Sequence, residues 1–171
     1  MRAGFILVFI ANMVLSLISL ILLPSRVAIH FGLGGMGDNW VPSYVNTLFF
    51  IGTNMFLFLS LYFTPGLVFM FTTKWINLPN KDYWLRLENK AHTVAIFSSL
   101  MWEFGIALFL FLFVVELLAI EANLSRPVRI NEKLLFSALI LFSLYTVYWC
   151  IKLFRSFRLP REMGSVNKPI E

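Results

Sequence analysis

The sequence predicts an all-α integral membrane protein, a bundle of four transmembrane helices with a glycine-rich outer loop. Two observations carry this prediction. Of the 171 residues, 59% are hydrophobic and only 13% are charged, which is about half the charged fraction of an average soluble domain. The apolar residues also fall into four blocks, each long enough to cross about 30 Å of hydrocarbon as a helix. Because backbone amides in lipid must bond within their own segment, each block is expected to be helical.

The four predicted spans cover residues 3–23, 45–71, 94–120 and 134–154. They belong to one domain, residues 1–158, and an irregular tail, residues 159–171, follows it. The first span has no small-residue cleavage pattern at its end, so we expect an uncleaved anchor. In the second span, Pro65 and Gly66 predict a kink or the end of the regular helix.

The distribution of basic residues predicts the orientation. Ten of the fourteen Lys and Arg residues lie at the start of the chain, between the second and third spans, or in the last turn of the fourth span and the tail after it. The positive-inside rule places that side, with both termini, in the cytoplasm. The net charge of +5 then reflects membrane topology, and no nucleic acid is expected as a partner. The other four basic residues lie in the two outer loops: Arg26, Arg126, Arg129 and Lys133.

The outer loop between the first two spans holds the first group of candidate functional residues. Residues 32–37 match the pattern G-x-G-x-x-G, but they follow a membrane helix, so we reject a dinucleotide site. Their glycines, Gly35 among them, predict a compact turn with positive φ. His30 and Asp38 are too few to define a metal site, and a histidine that holds the loop by a hydrogen bond is favoured. Trp40 suits the membrane interface.

The loop between the second and third spans holds the second group. The run Asn-Leu-Pro-Asn at residues 77–80 favours a turn. The aromatic residues that follow it lie among lysines, which is typical of a segment at the headgroup level. A docking surface for a cytoplasmic or membrane partner is the alternative. The candidate residues are Asn77, Pro79, Asn80, Tyr83 and Trp84.

Polar residues inside the predicted spans form the third group. Asn12, Ser16 and Ser19 share one helical face, which predicts packing against neighbouring helices. Glu103 is placed near the bilayer midplane, where an acidic group costs about 3 kcal/mol, so it is expected to face the bundle interior near Asn12 and Asn54. A structural role is favoured. A proton or ion site, or pairing with a cation on another chain, is the alternative.

The helical geometry of the third span separates its acidic residues. At 3.6 residues per turn, His92 and Glu121 lie on the face of Glu103. Glu116 lies about 220° away from Glu103. Because Glu116 is near the outer end of the span, it is expected to reach the headgroups or the outer loop.

Catalytic and cofactor sites are not expected. His30 and His92 lie on opposite sides of the predicted membrane, so they cannot jointly bind one haem or one zinc ion. Cys150 is the only cysteine, which excludes an intramolecular disulfide. No serine has an evident histidine or lysine partner at a usable depth. The chain is therefore predicted to be neither an enzyme nor a cofactor carrier.

Two motifs carry a resemblance to a known family. The pattern of Leu23-Pro24, His30-Phe31, Asp38 and Trp40 directly after the first span resembles the domain of SdpI-like immunity proteins and of many small bacterial membrane proteins of unknown function. The segment INLPNKDYW, residues 76–84, looks like the signature of those small members. The resemblance implies a bacterial inner-membrane protein that protects against a secreted peptide toxin or that signals by sequestering a regulator.

Two other functions compete with this one. A small apolar bundle with 19 Phe suits an accessory or structural subunit of a larger membrane complex. A small ion or proton transporter built around Glu103 is the second alternative. The expected partners are the lipid bilayer and either other membrane proteins or further copies of the chain.

Overall fold

In the computed structural model the protein is described over residues 1–71 and 78–159, with residues 68–71 described by their backbone alone. This part of the chain contains five α-helices and one two-stranded sheet. In chain order the elements are α1 (Arg2–Leu22), β1 (Arg26–Phe31), β2 (Gly37–Pro42), α2 (Ser43–Phe71), α3 (Lys81–Trp84), α4 (Leu87–Leu124) and α5 (Glu132–Ser156).

Four of these helices are long and apolar enough to cross a membrane: α1, the Ser43–Leu67 part of α2, α4 and α5. The shortest, α1, has 21 residues and extends about 32 Å at 1.5 Å per residue. The prediction of four long apolar helices is therefore confirmed. Of the two effects expected from Pro65 and Gly66, a kink or an end, the helix does not end there, because α2 continues to Phe71.

The centre of the bundle is built by α1, α2 and α4, which pack on one another, whereas α5 packs on α4. Aromatic rings fill the three-helix centre: Phe9 of α1 stacks on Phe58 of α2 with ring centroids 4.2 Å apart, and Phe5 and Phe109 are fully buried beside them. Gly105 of α4 allows this packing, because a Cβ there would overlap the ring of Phe5.

The outer loop departs from the all-α prediction. The compact turn expected there is flanked by two strands, so that the loop forms an antiparallel hairpin of β1 and β2. The segment Arg26–Phe31 contains β-branched and aromatic residues, which suit a strand, and a short 3₁₀ turn at Leu33–Gly35 reverses the chain. Gly34 and Gly35 both have φ of 74°, so the expectation of positive φ is confirmed for two of the four glycines.

The bundle has two ends with different contents. We call the end that carries β1, β2 and the α4–α5 loop the hairpin face. The end that carries Met1, α3 and the last turn of α5 is the terminal face. The third apolar helix, α4, has 38 residues and begins seven residues before the predicted start at residue 94. Its first turns therefore belong to the terminal face.

Candidate functional site

The hairpin is fixed to the rest of the protein by the end of α4 and by the loop after it. Asn123 of α4 is buried and binds both backbone groups of Ala28: its Nδ2 donates to the carbonyl at 3.1 Å, and its Oδ1 accepts from the amide at 2.7 Å. The Gly37 amide donates to the Val128 carbonyl at 3.2 Å. The hairpin is therefore a fixed platform on the hairpin face, rather than a free connection.

Gly35 has its own contact with the α4–α5 loop. The Ile130 amide donates to the Gly35 carbonyl at 2.8 Å. A Cβ on Gly35 would lie 2.6 Å from the Ile130 carbonyl oxygen, and its positive φ also disfavours any other residue. The candidate residue Gly35 thus holds the turn of the hairpin against the loop.

His30 and Asp38 face each other across the hairpin. His30 Nδ1 and Asp38 Oδ1 are 2.6 Å apart, and the two side chains are 67% and 51% exposed. Gly32 leaves room for this carboxylate, since a Cβ there would lie 2.7 Å from Asp38 Oδ2. The expected hydrogen bond from His30 is confirmed. The glycine motif between them lies between two strands rather than before a helix, so the geometry of a dinucleotide site is not formed there.

A pocket of about 400 Å³ opens between the base of the hairpin and the α4–α5 loop. Two arginines, Arg26 and Arg126, take part in its wall, and the candidate residue Trp40 lies beside them. Arg26 Nη2 donates to the Trp40 carbonyl at 3.3 Å, and Arg126 Nη1 donates to the Ser125 carbonyl at 3.1 Å. Its lining residues are Pro24, Arg26, Met36, Gly37, Trp40, Asn123, Arg126 and Val128.

The polar face of α1 is confirmed as a packing face, because Asn12, Ser16 and Ser19 are all fully buried. Asn12 Nδ2 donates to the Phe109 carbonyl of α4 at 3.0 Å. The hydroxyls of Ser19 and of Thr47 in α2 lie 3.3 Å apart. Hydrogen bonds from α1 thus reach both of its neighbours at the centre of the bundle.

Asn54 is buried as well, and its Nδ2 donates to the Phe50 carbonyl one turn back in α2. It lies seven residues after Thr47, which is two turns along one face of α2. The Oδ1 atoms of Asn54 and Asn12 are both buried without a hydrogen-bond partner in the described part of the chain.

Glu116 is the acidic residue at the centre of the bundle, which corrects its expected position. It is 1% exposed and accepts a hydrogen bond from Ser16 Oγ at 3.0 Å through Oε2. Its Oε1 has no partner among the described residues. The expectation that Glu116 reaches headgroups or the outer loop is wrong, because its face of α4 is the one that packs on α1.

Glu103 faces α5 instead of the three-helix centre. Both of its carboxylate oxygens accept from Lys152 Nζ, at 2.6 and 2.5 Å. The side chains of Glu103 and Lys152 are partly buried. The expected grouping with Asn12 and Asn54 is not seen: the cation that pairs with Glu103 belongs to the same chain, and Asn12 binds α4 at Phe109.

The level of Glu103 along the bundle follows from the contacts of its neighbours in α4 with the start of α1. The guanidinium of Arg2, at the start of α1, lies over the ring of Trp102, with its Cζ 5.9 Å from the ring centroid. Ser99 Oγ donates to Met1 Sδ at 3.7 Å. Glu103 therefore lies level with the first turn of α1, and the residues of α4 before it extend past the start of α1 at the terminal face.

The second candidate group, on the terminal face, binds the end of α5. Asn80 Nδ2 and Trp84 Nε1 both donate to the Phe157 carbonyl, at 2.9 and 2.8 Å. Thr93 Oγ1 of α4 donates to the Trp84 carbonyl at 2.6 Å. Carbonyls at a helix C-terminus lack partners within the helix, so this segment satisfies one of them. We call Asn80, Trp84 and Phe157 the α5 clamp.

Trp84 is therefore not a headgroup anchor. It is 5% exposed and packs edge-on against Phe157, with ring centroids 5.6 Å apart. Pro79 lies in the turn before α3, as expected, and Asn80 has φ of 54°. Tyr83 is half-buried, and its carbonyl accepts from Asn89 Nδ2 at 2.9 Å. Asn77 lies outside the described residues.

The residues of these sites that were not among the candidates include Glu116, Asn123, Lys152 and Phe157. The sequence did indicate that Glu116 has different surroundings from Glu103, since an angle of about 220° between them on α4 directs the two side chains to different neighbouring helices. Asn123 and Phe157 act through backbone contacts between distant segments, for which the sequence has no pattern.

In the described part of the chain no group of three His, Cys, Asp or Glu residues is placed to hold a metal ion. Comparison with protein-family models, curated proteins and solved structures finds no match.

Proposed function

We propose that this chain is a non-enzymatic inner-membrane protein of a bacterium that recognises an extracytoplasmic ligand on its hairpin face, in an immunity or signalling role like that of SdpI-like proteins. The observation that carries the proposal is the fixed hairpin. It connects α1 to α2 through 20 residues, although helix connections in bundles usually need about 2 to 8. The connection is therefore longer than the bundle requires, and it is folded.

The exposed pair on the hairpin supports the same function. His30 and Asp38 contact each other in a largely exposed position, where an ion pair contributes little to stability, about 0 to 1 kcal/mol. Polar groups held in a fixed geometry on a rigid scaffold are typical of binding surfaces. The ligand class that the family resemblance suggests is a secreted, membrane-active peptide.

The test is rescue of cells by the chain expressed alone. Bacteria sensitive to a secreted peptide toxin are expected to survive when they express the chain, and to lose protection with His30→Ala or Asp38→Ala. Asn39→Ala is the matched control, because Asn39 lies next to Asp38 and is exposed. Its protection should remain at the wild-type level. Protection that is absent with the wild-type chain, or unchanged in both pair variants at equal membrane abundance, contradicts the proposal.

A second candidate, an accessory subunit of a larger membrane complex, rests on α5. Only 6% of the most apolar stretch of α5 is buried within the chain. Among the long helices of the described part of the chain, α5 makes close contact only with α4. The exposed large side chains of α5 include Phe136, Ile140, Leu141, Leu144, Val147, Ile151 and Phe154. Purification from native membranes in mild detergent tests this function. Partners retained at a fixed ratio support it, and a chain that purifies alone contradicts it.

Transport through Glu103 is the least supported of the three functions. Lys152 binds both oxygens of Glu103, and the pair lies near the terminal face rather than in the middle of the bundle. A proton or ion flux in liposomes that is lost with Glu103→Gln would restore this candidate.

A further inference from the structure

The pocket at the base of the hairpin has the composition of an anion site. Two of its lining residues, Arg26 and Arg126, are positively charged, and none is acidic. Both guanidinium groups donate to backbone carbonyls, and neither forms an ion pair with a carboxylate among the described residues. Two cations without a counter-charge on one small concave surface favour an anionic ligand.

We propose that this pocket binds the phosphate-bearing headgroup of an anionic phospholipid in the membrane leaflet on the hairpin face. The inference does not depend on the proposed immunity or signalling role, because it involves neither His30 nor Asp38. It gives a binding role to the two arginines of the pocket, which the proposed recognition of a peptide does not involve.

The position of the pocket indicates that its ligand is a lipid. Pro24 lies two residues after the end of α1, and Asn123 lies one residue before the end of α4. Because these helices are long and apolar enough to cross a membrane, their ends on the hairpin face coincide with the headgroup region. A ligand in the pocket is then at the depth of a phospholipid phosphate, and Trp40 on the rim suits the same interface.

The walls of the pocket fit the rest of a headgroup. Pro24, Met36 and Val128 provide apolar surface beside the two guanidinium groups. A volume of about 400 Å³ is in the usual range of small-molecule pockets. Arginine can hold a phosphate through two parallel hydrogen bonds. An uncharged glycerol headgroup fits better than choline or ethanolamine, whose positive charge would be repelled by the second arginine.

The shape of the pocket is fixed before any ligand binds. Its hairpin wall is attached at Gly37, whose amide binds the Val128 carbonyl, and at Met36, which forms a backbone bridge with Arg129. Asn123 holds the opposite side through Ala28. A preformed site avoids the entropy cost of ordering its walls on binding.

Native mass spectrometry of the full chain in mild detergent tests the proposal. Phosphatidylglycerol and phosphatidylcholine are added in equal amounts, and the lipids that stay bound to each protein molecule are counted. The wild-type chain is expected to retain one phosphatidylglycerol preferentially. The double variant Arg26→Gln/Arg126→Gln should bind it about a hundredfold more weakly, since each charged hydrogen bond lost costs about one power of ten in affinity.

Lys133→Gln is the matched control, because Lys133 carries the same charge on the same face but does not line the pocket. It should retain the lipid as the wild type does. Arg126→Gln alone is the second variant, since it leaves the bond between Arg26 and Trp40 intact; it should show an intermediate loss. Thermal unfolding in detergent without added lipid should be equal for all variants, which separates lost binding from lost folding.

Three outcomes overturn the proposal. The first is equal retention of phosphatidylglycerol by the double variant and the wild type. The second is retention of phosphatidylcholine to the same extent as phosphatidylglycerol by the wild type. The third is displacement of the lipid by millimolar inorganic phosphate or by glycerophosphoglycerol, which would identify a site for a free anion rather than for a membrane lipid. Retention that resists both soluble competitors supports the lipid.

Discussion

At the scale of single residues, the two acidic side chains Glu103 and Glu116 of α4 lie in very different environments. Glu103 is partly exposed and has a lysine partner, whereas Glu116 is buried and has a serine hydroxyl. Burying a polar group is unfavourable unless hydrogen bonds replace those to water. The hydrogen bond from Ser16 therefore offsets part of the free-energy cost of burying the Glu116 carboxyl group.

The test at this scale is a pair of substitutions at Glu116. Glu116→Gln keeps the side-chain size and a carbonyl oxygen that can accept from Ser16 Oγ, so it should change the free energy of unfolding by less than about 1 kcal/mol. Glu116→Ala leaves the Ser16 hydroxyl without this acceptor and opens a cavity, so it should cost about 2 to 3 kcal/mol. Unfolding by denaturant in mild detergent measures both.

Ser16→Ala serves as the partner control for Glu116. The effects of Ser16→Ala and Glu116→Ala on the free energy of unfolding would be additive if the two side chains did not interact. Because Ser16 binds Glu116, we expect a coupling energy of about 1 kcal/mol between the two substitutions. A Glu116→Gln protein as unstable as Glu116→Ala would show that the carboxyl group itself, rather than an acceptor of that size, is required.

At the scale of elements, the α5 clamp joins α3 to the end of α5 through one shared acceptor. Asn80 and Trp84 both donate to the Phe157 carbonyl. Trp84→Phe keeps an aromatic ring but removes the donor, and Asn80→Gly removes the second donor while suiting the positive φ. Each substitution should lower the free energy of unfolding by about 1 kcal/mol.

Because the two donors share an acceptor, the clamp predicts non-additive effects. The second substitution leaves the carbonyl without any side-chain donor, so the double variant should be destabilised by more than the sum of the singles. Trp40→Phe is the matched control, since Trp40 is more exposed than Trp84 and no hydrogen bond from its ring is seen in the described residues. Strict additivity of the clamp variants would mean that the two donors contribute independently and would contradict the shared acceptor.

The contact between α4 and α5 predicts a measurable ion pair. A double-mutant cycle with Glu103→Gln and Lys152→Gln should give a coupling energy of about 1 kcal/mol, because both groups are partly buried. The exposed pair of Arg86 and Glu88, 3.8 Å apart, is the control. Its coupling energy should be less than about 0.5 kcal/mol. Equal coupling in the two pairs would contradict a structural role for Glu103 in holding α5.

At the scale of the whole molecule, four long helices that each cross a membrane once would place Met1 and the end of α5 on the same side. The distribution of Lys and Arg predicts that this side is the cytoplasm. In a Cys150→Ser background, Asn39→Cys on the hairpin should react with a membrane-impermeant maleimide added to intact cells. Leu159→Cys should react only after the cells are opened. The reverse pattern would show that the hairpin faces the cytoplasm, and it would also remove the proposed role in recognising secreted ligands.

The number and helical nature of the long apolar segments followed from the sequence, since a block of about 20 apolar residues determines its own secondary structure in a membrane. The buried face of α1 followed as well, because a stripe of Asn12, Ser16 and Ser19 is a local, periodic feature. The hydrogen bond of His30 and the positive φ in the outer turn were local in the same sense.

What the tertiary structure alone decided was the partner of each polar side chain. Glu103 and Lys152 are 49 residues apart, and Asn123 binds Ala28 across 95 residues. The start of α4 at Leu87 was also not evident from the sequence, because its polar first turns lie outside the apolar block. The hairpin also needed tertiary support, because two isolated strands are marginal without further packing, and Asn123 provides it. Local patterns therefore determined the helices, and contacts between distant segments determined the sites.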